Sequence, residues 1–281
     1  MWFMRVALRH ESVSSKVKDL VSEGFNLCDQ WNATEGAEAL HAARAVFGQA
    51  LQQHPLLTVR QKHAVMLALE DCISAHHQQL RINQKTPYAV HPIFAAWIFL
   101  TASTAVNGLS PNSIRDTVIT LLIHDIPEEN PFFYAGTKNN RPLAVIFKNI
   151  QRRYGVQVSR AMKVLTKPPG HSGTESAYAR AVELLQMHMM LGTTSKLDDR
   201  MTFTAPEISI WAKLCDRLAN MMDVSGVPKE KQKRKIAYKM QQAQTEFEDF
   251  FFPRISKPLF AVLFREALQA VRAEHQRRGI N

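Results

Sequence analysis

Apolar side chains recur at three- and four-residue spacing through most of the chain, with polar residues filling the positions between. That period puts one apolar stripe on a helix. It predicts helices over residues 13–30, 35–53, 57–80, 92–106, 111–126, 142–166 with a break near Gly155, 174–190, 206–224, 229–251 and 257–278. Strand-like alternation is nowhere convincing, so the expected fold class is all-α, a helical bundle. Clusters of Pro, Gly, Asn and Ser set loops at 80–92, 131–142, 166–176 and 191–206. Loops between rigid helices are where ligand contacts concentrate. No solenoid-period repeat interrupts the pattern.

At 281 residues and 31.9 kDa, with 46% hydrophobic residues, the chain can bury a large core. The pattern divides it into an N-terminal helical extension (1–56), a central domain (57–252) and a C-terminal helix on the same body (253–281). The two amphipathic helices of the extension pack on the central domain or serve dimerisation. No apolar run reaches the roughly 18 residues of a membrane span. MWFMRVALRHES is broken by Arg5, Arg9 and His10, unlike a signal peptide, so neither export nor a membrane is expected. Three cysteines, Cys28, Cys72 and Cys215, stand at no metal-ligand spacing, which fits a reducing compartment, the cytoplasm. Lys and Arg number 35 against 25 Asp and Glu, a formal +10 that draws polyanions such as a phosphate-rich nucleotide. The charge is spread and no recognition motif appears, which argues against sequence-specific nucleic-acid binding. Its densest run, KEKQKRK at 229–235, is expected to be the solvated start of a helix.

Chemistry concentrates in LLIHDIPEEN, residues 121–130. On one continuous helix Glu128 lies below His124 and Glu129 below Asp125, four ionisable groups on one helix end. Such crowding is unfavourable unless something positive sits among them, and a divalent metal is the usual remedy. His91 in TPYAVHP, just before a helix-opening Pro92 at a loop-to-helix junction, is a candidate nitrogen ligand, although taken alone a lone His is usually a satisfied structural residue. Asp216 stands inside the apolar stripe of IWAKLCDRLANMMDV, with Asn220 one turn later. An acid there wants a cation, which is either a metal or a plain salt bridge from Lys213 or Arg217. His76 and His77 are expected to form a surface pair, His171 has nothing to fix it, and Cys215 points about 100° away from Asp216.

The set His91, His124-Asp125 and Asp216 resembles the H…HD…D signature of HD phosphohydrolases. TPYAVHP, HDIPEE, YGVQVSRAMKVLTK (154–167) and KLCDRLANM narrow this to a resemblance to the hydrolase domain of RelA/SpoT-type alarmone enzymes, closest to the small alarmone hydrolases. The blocks occur in family order and span about residues 57–250. The resemblance implies a helical domain with one Mn²⁺, held by His91, His124, Asp125 and Asp216. Its implied activity is hydrolysis of the 3′-pyrophosphate of guanosine tetra- or pentaphosphate to GDP or GTP plus pyrophosphate. Glu128 and Glu129 match the acidic pair that handles the attacking water, Asn220 an asparagine on the nucleoside side, and Arg81 the basic contact to base or phosphate. Lys85, Lys138 and Arg141 are the other loop cations expected to steady the phosphates. The synthetase domain of that family does not fit in the 65 residues after Asp216, so degradation without synthesis is expected.

Three positions depart from the family pattern. Glu129 stands where Asp is usual, and a displacement of about 1 Å in a catalytic group can cost on the order of 100-fold in rate. Pro127 removes a backbone donor and tends to end a helix. Arg81 sits in a slightly different spacer, beside Leu80. Two alternatives therefore stay open: hydrolysis of another nucleotide such as ppApp, and a catalytically silent module that serves a partner.

Overall fold

The computed structural model describes residues 2–106, 109–135, 143–166, 204–224, 227, 229–251 and 258–280. These form helices α1 (Trp2–Ala33), α2 (Ala37–Gln53), α3 (Val59–Ala75), α4 (Val90–Ser103), α5 (Pro111–Ile123), α6 (Ile126–Glu129), α7 (Phe132–Ala135), α8 (Leu143–Tyr154) and α9 (Val156–Leu165). After them come α10 (Ala205–Met222), α11 (Lys229–Gln244), a π-helical segment (Thr245–Phe251) and α12 (Pro258–Arg277). Among the described residues there is no strand, only an isolated bridge between Leu80 and Pro87. The protein is all-α, as its apolar period predicts. No described helix is long and apolar enough to cross a membrane.

Helix α4 is apolar on every face, and Ile93 through Leu100 are all buried. A helix of that kind belongs at the centre of a bundle. Accordingly α2, α5 and α10 pack around it, and α3 and α9 lie outside α5 and α10. Local signals start these helices where the pattern needs them. Thr58 and Gln61 cap α3 reciprocally, with the Thr58 N–H donating to Gln61 Oε1 at 3.0 Å. Ser110 caps α5 ahead of Pro111, and the Thr204 N–H donates to Glu207 Oε2 at 2.7 Å to open α10. Gly155, at φ +99°, makes the expected break between α8 and α9. Helix α1 runs along α12, where Arg278 pairs with Asp29 and lies over the Phe25 ring at 4.7 Å. The apolar core is one cluster that includes α1, α2 and α12.

Several elements differ from the sequence-based expectation: α7 forms within 131–142, expected as a loop, and the helix expected over 229–251 ends at Gln244 and continues as the π-helical segment. Helix α1 begins far ahead of residue 13, at Trp2. The helix expected over 57–80 ends at Ala75, and the chain turns through Gln78 and Gln84, both at positive φ. There the Arg81 N–H donates to Thr86 O and the Tyr88 N–H to Gln79 O, each at 2.8 Å, closing a small hairpin. The helix expected over 111–126 stops at Ile123, and Asp125 starts α6 with Pro127 in its first turn. The expected helix 174–190 lies outside the described residues.

His54, at the end of α2, gives the core a sensitivity to acid. Ser103 Oγ donates to Leu100 O at 2.7 Å, so His54 Nε2 must donate to Ser103 Oγ at 2.9 Å, and Nδ1 accepts the Leu56 N–H. Burial, then the nearby Lys62, push this imidazole from 6.5 down to about 4. Its neutral form is favoured by folding, so the contribution is complete above pH 6.5 and lost as pH falls towards 4. Urea unfolding at pH 7 and pH 4.5 is expected to differ by about 2 kcal/mol less in His54→Gln than in the natural chain. An unchanged difference would place the acid sensitivity elsewhere.

Candidate metal centre

Three parts of the chain meet at one point. His91 sits in the first turn of α4, His124 and Asp125 at the junction of α5 and α6, and Asp216 in the middle of α10. His91, His124 and Asp125 each offer one ligand atom, all within 4.8 Å of one another. Asp216 Oδ1 lies 3.0 Å from His91 Nε2 and 3.8 Å from His124 Nε2, and Asp125 Oδ1 lies 3.2 Å from His124 Nε2. Nitrogen and carboxylate donors in this mixture suit a hard or borderline divalent ion.

The His124 ring tests whether an ion fits. Its Nδ1 lies 2.7 Å from Leu121 O, and a carbonyl only accepts, so the proton is on Nδ1. In the neutral ring, Nε2 is then a lone pair facing the oxygens of Asp125 and Asp216, and it is buried with no hydrogen-bond partner. Three acceptors aimed at one another require a cation among them. A histidine fixed by a carbonyl on its far nitrogen is the usual support of a metal ligand.

Without an ion, a proton takes that place. Burial works against it, but the charges of Asp125 and Asp216 raise the His124 imidazole to about 9. Metal binding at pH 7 is therefore expected to release about one proton, and apparent affinity is expected to rise roughly tenfold per pH unit towards 9. Calorimetric titration in two buffers of different ionisation enthalpy measures this, and binding without proton release would take His124 Nε2 out of the ligand set.

Neighbours hold each carboxylate. Tyr88 Oη donates to Asp125 Oδ2 at 2.9 Å, leaving Oδ1 for the centre. Asp216 divides its oxygens in the same way: Oδ2 takes Lys213 Nζ at 3.2 Å and Arg217 at 3.4 Å, and Oδ1 faces the two imidazoles. Salt bridge and metal-type geometry thus coexist on one acid. Burial would raise Asp216, yet Lys213 and the imidazoles hold it well below the usual carboxylate range. Asn220 Nδ2 donates to Asp216 Oδ1 at 2.7 Å and to its carbonyl at 3.0 Å, so its contacts here orient the acid.

Glu128 and Glu129 are exposed on α6, with their N–H groups donating to Asp125 O at 3.1 and 2.8 Å. Because α5 ends before them, they do not continue one helical face below His124 and Asp125; Pro127 starts a new turn that sets their direction. The Glu129 charge reaches Tyr88, where with burial and Asp125 it raises the phenol. Arg81 pairs with Asp223 and stands 6.0 Å from the Tyr88 ring centre. Lys85 pairs with Glu35 at 2.7 Å on the exposed surface. Lys138, Arg141 and His171 lie outside the described residues.

Other residues join the site unannounced by the sequence. His76 is buried, not a surface residue, because the chain turns after Ala75 and folds it against Tyr88 at 4.8 Å between ring centres; only His77 is exposed. The run KEKQKRK is solvated at Lys231, Lys233 and Arg234, but Lys235 turns inward, as does Lys239 one turn later. Burial lowers both, and their charged neighbours include Asp223 and Arg81 for Lys235, and Arg217, Asp216 and Lys213 for Lys239. Their i, i+4 spacing was the available signal. A separate cavity of about 350 Å³, lined by Val46, Gln53, His54, Trp97 and Leu100, touches none of the four candidate ligands.

Fold and site together define an all-α protein in which His91, His124 and Asp125 form a cluster that could hold a metal ion, with Asp216 beside the two imidazoles. No protein-family model matches the chain, and no curated protein matches it.

Proposed function

We propose that this chain is a cytoplasmic, metal-dependent phosphohydrolase that removes the 3′-pyrophosphate of guanosine tetra- and pentaphosphate, yielding GDP or GTP and pyrophosphate, without synthetase activity. The observation that carries the reading is the convergence of His91, His124 and Asp125, with Asp216 Oδ1 3.0 and 3.8 Å from the two imidazoles, in the order of the H…HD…D resemblance. Mn²⁺ is the ion the resemblance implies. Bound by these four side chains, it would supply Lewis acidity, acidifying water and offsetting charge on the attacked phosphate.

The chain's own residues do the rest. Tyr88, Asn220 and Lys213 keep the Asp125 and Asp216 carboxylates turned so that one oxygen of each faces the imidazoles. Glu129 is the group assigned to take a proton from water at its carboxylate, because its charge already reaches Tyr88 beside Asp125. Glu128, adjacent on the same turn, is its partner in orienting that water. Lys213 and Lys239 bring positive charge to the side of Asp216, and Lys235 to the side of Asp223, where a polyphosphate gains from it. Arg81 contacts base or phosphate by exchanging its Asp223 partner for the substrate.

The test is pyrophosphate release from ppGpp, ppApp and ordinary nucleotides by purified protein with Mn²⁺. Fastest release from ppGpp is expected, with Glu129 and Pro127 tolerated. Faster release from ppApp would move the substrate to the adenosine alarmones. Silence on every nucleotide with Mn²⁺ bound would overturn the enzymatic reading in favour of a partner-binding module.

A further inference from the structure

His91 also lines a small cavity with Trp31, Asn32, Arg81, Thr86 and Asp223. Its water-sized room is about 10 Å³, near the roughly 10–15 Å³ that one water requires and too little for two. Two of its lining residues, His91 and Trp31, only 5% and 2% exposed, each carry a buried ring nitrogen with no hydrogen-bond partner, Nδ1 and Nε1. The cavity also carries a carboxylate. Asp223 accepts from Asn32 Nδ2 at 2.9 Å on one oxygen and from Arg81 on the other. A carboxylate has about four lone-pair sites, so it can accept again.

The two imidazoles of the centre differ in one respect. His124 gives its far proton to Leu121 O, whereas His91 Nδ1 has no direct acceptor. His91 Nε2 donates to Asp216 Oδ1 at 3.0 Å, whereas facing an ion it is a lone pair, with the ring proton moved to Nδ1. Some group has to hold that proton. We propose that the cavity is a one-water site, and that Asp223, acting through this water, is a positioning residue that keeps the His91 proton on Nδ1 and its Nε2 lone pair on the centre. The water accepts from His91 Nδ1–H and Trp31 Nε1–H and donates to Asp223, three bonds, the usual number for a buried water. Trp31 and Asn32 belong to α1, so the N-terminal helix becomes part of the centre. The inference rests on the metal reading but not on the substrate.

Mn²⁺ titration of the full chain by calorimetry tests it, with Asp223→Ala, Asp223→Asn and Arg81→Gln compared at matched melting behaviour. Asp223→Ala is expected to bind Mn²⁺ about 10- to 100-fold more weakly, the range typical of lost outer-shell support. Asp223→Asn keeps an accepting oxygen and is expected to recover part of the loss. Arg81→Gln breaks the same ion pair but keeps the carboxylate, so its affinity should stay within about threefold. In Zn²⁺-loaded protein labelled with nitrogen-15 histidine, the His91 proton is expected on Nδ1, exchanging slowly in the natural chain and rapidly in Asp223→Ala. Affinity of Asp223→Ala within about twofold of the natural chain overturns the proposal, as does an equal loss in Arg81→Gln or a proton on Nε2. Should Asp223→Ala fail to fold, Trp31→Phe decides: at least about threefold weaker Mn²⁺ supports the water site, unchanged affinity overturns it. If the natural chain binds no Mn²⁺, the metal reading falls with the inference; if it binds Mn²⁺ and Asp223→Ala does not differ, only the inference falls.

Discussion

Asp125→Ala is expected to weaken Mn²⁺ by more than the roughly 10- to 100-fold typical of outer-shell losses, because it deletes one of the proposed ligand oxygens. It should also reduce pyrophosphate release from ppGpp at least about 1,000-fold, equivalent to several kcal/mol of transition-state charge stabilisation. The physical reason is geometric: Asp125 Oδ1, 3.2 Å from His124 Nε2, is one of the charges that make the lone pair of that ring a cation site. Tyr88→Phe supplies the graded comparison. It removes only the hydrogen bond to Asp125 Oδ2, and about a tenfold effect on affinity is expected. Calorimetry and a pyrophosphate assay read both variants, with melting curves to show that each is folded. Full Mn²⁺ affinity in Asp125→Ala would remove this residue from the centre.

The second large effect concerns stability. Arg217, next to Asp216 in α10, donates from Nε and Nη2 to the two oxygens of Glu246, each bond 2.8 Å, with both side chains buried. Glu246 stands in the π-helical segment after α11, so this pair ties the C-terminal part of the chain to the helix that carries Asp216. Removing one partner of a buried ion pair leaves the other charge stranded in a poorly solvating interior. Glu246→Ala is therefore expected to destabilise the protein by about 3–5 kcal/mol in urea unfolding. A paired apolar replacement, Arg217→Met with Glu246→Leu, should restore part of that loss, since Asp216, which then loses Arg217, still keeps Lys213. A loss under about 1 kcal/mol in Glu246→Ala would show a solvent-screened pair.

How far the sequence reaches depends on the range of the interaction. Helix existence is local: the spacing of apolar residues, Thr58 with Gln61, Ser110 before Pro111 and the lone Gly155 all act within a turn or two, and the helices follow them. Boundaries were less legible. The pattern 57–80 continues past Ala75, but the hairpin bonds of Arg81 and Tyr88 to Thr86 and Gln79 compete with helix there and win. Pro127 could be read as a helix breaker from its missing N–H alone; where it re-aims Glu128 and Glu129 could not.

The candidate ligands were legible as chemical oddities, a His before Pro92, an acidic pair after His124, an Asp in an apolar stripe. Their meeting was not, because 125 residues separate His91 from Asp216 and only packing of α10 on α4 brings their atoms to 3.0 Å. The same holds for the residues that support them. His76 and Lys235 look like surface positions in a one-dimensional pattern, since burial of a polar group depends on what packs above it. Local pattern along the chain is enough for an all-α fold class and for a short set of residues out of place in an apolar frame. Tertiary structure alone decided that those residues face one another, that Asp216 serves a salt bridge and the centre at once, and that α1 closes the cavity beside His91. Periodicity is a property of neighbours along the chain, whereas a site is a property of neighbours in space.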